Sequence, residues 1–184
     1  MQHKSFQEMG IPPGYGFKLS LFSPIANTII VQTRSAANNW RPERLYFRHI
    51  EADNYRPISQ PDALVSQEYP FVHPSKPLVA YNCLKHRFSV DSQGEERHGA
   101  DWDSLNLFNL ETESEVVQIN QHTLNLPPGI VNGWISELVS FTDRGLFVTA
   151  GLSKDGTSMD YVIAELDIVK HILKPIAALP AAFM

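Results

Sequence analysis

A short polar turn followed by a run of consecutive apolar residues occurs three times, as LFSPIANTIIVQT (21–33), FVHPSKPLVAYNC (71–83) and SFTDRGLFVTAGL (140–152). Within these, Ile29–Val31, Leu78–Ala80 and Leu146–Val148 are apolar at successive positions. Side chains of a strand alternate between its two faces, so each run needs cover on both sides. A chain built this way must stack sheets on one another, and that requirement governs the rest of the reading.

Further strand-like runs surround each repeat, rich in β-branched and aromatic residues and separated by Pro, Gly, Asn and Asp. The first unit reads FKLSLFSP (17–24), TIIVQTR (28–34), RLYFRHIE (44–51) and YRPI (55–58). The second reads EYPFVHP (68–74), PLVAYNC (77–83), SLNLFNLE (104–111) and EVVQI (115–119). The third reads WISELVSF (134–141), GLFVTAGL (145–152), DYVIAELD (160–167) and KHILKPI (170–176). The 13 prolines fall too often for helices of ordinary length. Four strands per unit, repeated three times, predict an all-β fold of three four-stranded antiparallel propeller blades. These span approximately 17–58, 68–119 and 134–176 within a single domain, 1–184.

The repeat resembles the TolB-like, WD-like propeller blade, in which an aromatic residue, a Ser-Pro-Asp-Gly-type turn and an apolar strand precede a later strand ending in a turn. FSPIANTIIV and VHPSKPLVAY keep the x-Pro turn, FTDRGLFVTA keeps Asp143 and Gly145, and SLNLFNLETESEVVQI matches the later half of a blade. The resemblance implies a propeller and says little about function, because propellers host many. His73 stands where the other units have Ser23 and Thr142. A turn-capping role is expected there, rather than a catalytic one.

Propellers have about four to eight blades, and this chain offers three. A second copy related by a two-fold axis would complete a six-bladed ring, so a homodimer is expected. A different protein could complete it instead, or residues 1–16 and 120–133 could add a partial fourth blade. The apolar tail AALPAAFM (177–184) is expected to be buried against a neighbouring blade or subunit.

The net charge of −5 and scattered Lys and Arg exclude a phosphate-neutralising stripe, so no nucleic-acid partner is expected. No apolar run approaches the ~18 residues of a membrane span, and the N-terminus has no signal-type apolar segment. A soluble cytoplasmic protein with no membrane partner is the corresponding expectation. Cys83 is the single cysteine, which excludes an internal disulfide, and it is expected to be buried.

Segment 84–103 (LKHRFSVDSQGEERHGADWD) reads as a 20-residue loop, long enough to be functional or disordered. It is expected to gather with 35–43, 59–67, 120–133 and 153–160 on one face of the ring. The candidate binding residues are Trp40, Arg41, Arg44, His86, His98, Asp101, Trp102 and Asp103. Trp40 and Trp102 precede the third strands of their units beside charged residues, a combination suited to an interface centre; equally, both indoles could pack between blades. Trp134 is expected in the core. Hydrolase, P-loop and metalloprotease motifs are absent, and neither catalytic residues, a metal site nor a cofactor is assigned. The leading expectation is a non-enzymatic module that engages a protein partner through these loops. The alternative is a hydrolase or lyase acting on a glycan or small molecule through His98, Asp101 and Asp103 at the ring mouth, with or without a metal.

Overall fold

The computed structural model describes residues 5, 7–36, 41–59 and 62–180. These contain three four-stranded antiparallel sheets and no helix, hence no helix long and apolar enough to cross a membrane. The first sheet comprises β1 (Tyr15–Ser23), β2 (Thr28–Ser35), β3 (Arg44–His49) and the two-residue β4 (Arg56–Pro57). The second comprises β5 (Val65–Val72), β6 (Leu78–Val90), β7 (Glu96–Asn109) and β8 (Ser114–Asn120). The third comprises β9 (Asn132–Thr142), β10 (Gly145–Ser153), β11 (Asp160–Asp167) and β12 (Ile172–Ala178). Strand order within every sheet follows chain order, as successive hairpins require.

The second sheet is the middle layer of the stack. Its Val79, Tyr81, Cys83 and Phe108 join Ile30, Leu45 and Phe47 of the first sheet in one cluster. The intervening Ala80, Leu105 and Leu107 join Ile135, Leu138, Leu146 and Val148 of the third. The run 79–81 is therefore apolar at successive positions because its residues serve two different cores. First strands meet across both seams, β5 touching β1 on one side and β9 on the other.

The capping expectation for the repeated turn holds at all three points. Ser23 Oγ accepts the Ala26 amide at 3.4 Å, His73 Nδ1 accepts the Ser75 amide at 3.1 Å, and Thr142 Oγ1 accepts the Arg144 amide at 3.2 Å. His73 is buried and also reaches across a seam, its ring meeting Phe141 edge-on at 4.6 Å and its Nδ1 lying 3.8 Å from Asp143.

The sheets do not close on themselves, so the first and third each have one flank without a neighbouring sheet. On the first, Ile11 covers Val31 and Tyr46, with the Tyr55 amide bonded to the Met9 carbonyl at 2.7 Å. Phe22 and Ile50 stay 48% and 45% exposed there, around a groove lined also by Ile29. On the third, the Trp134 indole lies on Gly151, where an added Cβ would come within 3.0 Å of the ring. Trp134 is thus half-buried on a flank instead of in the core.

Three further expectations need correction. Segment 84–103 is not a loop: β6 and β7 continue as a ladder from Leu84↔Trp102 to Val90↔Glu96, leaving a turn at 91–95. Backbone hydrogen bonds hold a hairpin together without an apolar run, which is why hydropathy did not reveal it. Segment 120–133 adds no blade; Asn125 forms a parallel bridge with Ile172, its amide bonded to the His171 carbonyl at 2.7 Å, and Leu124 enters the core beside it. In the tail, Ala177 and Ala178 finish β12 exposed, Pro180 is exposed, and 181–184 lie outside the described residues.

Candidate functional site

The β6–β7 arm begins where the neighbouring sheets stop covering the second sheet. Directly paired residues share a face, so Leu84/Trp102, His86/Ala100, Phe88/His98 and Val90/Glu96 lie on one side. Lys85/Asp101, Arg87/Gly99 and Ser89/Arg97 lie on the other. The His86 amide donates to the Leu64 carbonyl at 2.8 Å, extending the β5–β6 ladder and setting Leu64 opposite His86. Apart from Glu96, one side of the arm is aromatic and aliphatic, and the charged pair Lys85/Asp101 with Arg87 and Arg97 lies on the other.

At its tip, Asp91 Oδ1 accepts the amides of Gln93 and Glu95, each at 2.9 Å, and Arg97 binds Asp91 Oδ2. Those amides hold the Asp91 carboxyl below its usual range. Gly94 takes φ +82°, a conformation other L-residues resist. On the charged face Arg87 pairs with Asp101 at 2.7 Å.

The other face is built on a stack. His98 lies between His86, with centroids 5.0 Å apart, and Phe88, 4.8 Å away, both nearly parallel to it. His86 Nδ1 and His98 Nε2 are 2.8 Å apart, so one carries the proton the other accepts. His86 Nε2 meets Ser66 Oγ at 2.7 Å, and that oxygen accepts the Glu43 amide at 3.0 Å. Glu43 binds Lys18 Nζ at 2.6 Å and Gln32 Nε2 at 2.5 Å. A polar chain thus runs from the first sheet, through Ser66, to the arm. Burial, then the facing His98, lowers the His86 pKa, with Glu43 opposing and Arg44 reinforcing.

Phe88, at the end of the stack, is 50% exposed, and Val90 and Leu64 are 66% and 45% exposed. Phe88 and Val90 on the projecting strand, with Leu64 beside them just before β5, form an exposed row of large apolar side chains.

The sequence-derived residues fall into separate groups. His86, His98, Asp101 and Trp102 all belong to the arm, although His86 is buried and Asp101 faces the opposite side. Trp102 is half-buried against the second core, and its Nε1 is buried without an acceptor among the described residues. Asp103 is the extra residue at the ladder irregularity and lines a cleft on the first-sheet side. Arg41 sits over the Tyr15 ring at 5.8 Å and donates to the Pro13 carbonyl. Arg44 donates to the carbonyls of Val65 and Asp62, tying the first sheet to the connection before β5. Trp40 lies outside the described residues. Among the described residues no group of three or more His, Cys, Asp or Glu is placed to hold a metal ion.

Leu64, Phe88 and Val90 were not singled out in the sequence. Alternation of His86, Phe88 and Val90 with Lys85, Arg87 and Ser89, followed by the turn text DSQG, carried the signal. Comparison with protein families, curated proteins and solved structures finds no match for this chain. The likeness to TolB-like blades therefore rests on the repeated text.

Proposed function

We propose that the chain is a non-catalytic interaction module: a TolB-like propeller stack whose ring is completed by a second copy, with the β6–β7 arm engaging a protein partner. The observation that carries the partner reading is the exposed row Leu64, Phe88 and Val90 on a hairpin stiffened by the His86–His98–Phe88 stack. A rigid aromatic anchor loses little conformational freedom on binding, and the charged face of the same hairpin supplies a polar rim.

Ring completion draws on the two uncovered flanks. A two-fold axis brings the first sheet of each copy against the third sheet of the other, making six blades, within the known range. The first flank offers Phe22, Ile29 and Ile50, the third Phe147, Tyr161 and Ile163. Arg48 pairs opposite Ile29 on the first flank, while Glu137 and Glu165 stand on the third, so the charges are complementary.

A photo-crosslinking residue at position 88 tests the arm. The expected result is an adduct with one discrete protein, abolished by Val90→Lys and retained in Arg87→Ala. Adducts insensitive to Val90→Lys would refute the arm as the contact surface.

A further inference from the structure

The first and second sheets do not match in width. β4 is two residues long where its counterpart β8 has seven, so most of β8 has no strand of matching length opposite it. The approach to β5 at Asp62 stands beside it instead, held by Arg44 through the Asp62 and Val65 carbonyls. Behind it lies a cleft of about 440 Å³ whose walls include Ser59, Asp62, Asp103, Asn106 and Glu115. Register explains the convergence: Asn106 pairs with Tyr81 on one side and Gln118 on the other, and Cys83 with Ser104, so all face the first sheet.

We propose that this cleft binds an organic cation bearing several N–H donors, an ammonium or guanidinium group. Asn106 is only 2% exposed; its Nδ2 donates to Cys83 Sγ at 3.0 Å, leaving Oδ1 buried with no donor. A buried carbonyl in that state favours a ligand that supplies an N–H. Three carboxylates, Asp62, Asp103 and Glu115, line the cleft against one cation, Lys85. Glu115 is already oriented, accepting the Tyr81 hydroxyl at 2.6 Å. Cys83 contributes no charge, since burial, aided by Asp103 and Glu115, pushes its thiol up to about 12. No metal-holding group of three or more His, Cys, Asp or Glu exists among the described residues. A multi-donor organic cation fits separated acceptors better than a bare ion does. The site uses only the base of the arm, through Lys85 and Asp103, and requires neither the arm's apolar row nor ring closure.

The same chemistry comes from a free diamine or from a basic side chain of a protein. Calorimetric titration of the whole chain with 1,4-diaminobutane, with acetyl-Gly-Arg-Gly-amide and with 1,4-butanediol separates these. Saturable one-to-one binding of at least one cation, and none of the neutral diol, is expected. Tighter binding of the diamine assigns a free amine; tighter binding of the peptide assigns a protein side chain. Removing an acceptor in Asn106→Leu, or a negative charge in Glu115→Gln, is expected to weaken binding roughly tenfold, and Lys85→Gln is expected to tighten it. Glu115 is exposed, so its variant remains informative if Asn106→Leu fails to fold. Absence of saturable cation binding, equal binding of the diol, or unchanged affinity in Glu115→Gln would overturn the assignment.

Discussion

One pair of strands, β6 and β7, lives in two environments. From Leu78 to Cys83 and from Ser104 to Asn109 it is sandwiched, with Val79 and Tyr81 against the first sheet and Ala80, Leu105 and Leu107 against the third. From Leu84 to Val90 and from Glu96 to Trp102 the same ladder runs out of that cover, with Trp102 and His86 at its base still touching the neighbouring sheets' cores or polar chain, and most of its side chains are exposed. Backbone hydrogen bonding is common to both halves; cover is not. Residues of the inner half answer to packing, and those of the outer half are free to answer to a partner.

The contrast breaks most visibly under truncation. Leu107→Ala leaves a void between two sheets that cannot readily collapse, and is expected to cost about 2–5 kcal/mol in chemical denaturation. Val90→Ala on the arm should stay within about 0.5 kcal/mol of the parent. Similar losses at both positions would mean the arm is covered after all.

Acidity probes the junction between the halves. His86 and His73 are both buried with pKa values held below the ordinary 6.5. The folded state therefore binds fewer protons than the unfolded chain, so their contribution to stability is present above pH 6.5 and lost as pH falls below it. Urea midpoints should decrease from pH 7 to pH 5, and His86→Gln, which keeps a hydrogen-bonding group, should flatten that decrease.

Smaller effects belong to the arm's charged face. Breaking the exposed Arg87–Asp101 pair with Asp101→Asn should cost about 0.2–1 kcal/mol at low salt and less at high salt. Phe88→Lys should be smaller still in stability, within about 0.5 kcal/mol, while removing the partner contact proposed for the arm.

Much of the architecture could be read in the chain because stacking leaves a local signature. Runs such as Ile29–Val31 and Leu146–Val148 demand cover on both faces, and Ser23, His73 and Thr142 mark the same capped turn in each unit. The site was less legible. The arm's alternation is diluted by Gly99, Ala100 and charged residues, so it resembles a polar loop, and its ladder depends on pairing across the turn. Asn106 reads as a solvent-facing member of an alternating strand; it is buried beside Tyr81, Cys83 and Gln118 of its own sheet on the side of the first sheet, a fact about neighbours rather than about the strand. Likewise, nothing local in Arg44 indicates that its guanidinium would pin carbonyls in the next unit's approach.

Two uncovered flanks on a three-sheet stack make self-association the central claim, and light scattering on the purified chain tests it most directly. Completion by a second copy predicts a particle of twice 20.7 kDa, reduced to one chain by Phe22→Glu, which charges the first flank. A wild-type particle of 20.7 kDa at the same concentrations would contradict it.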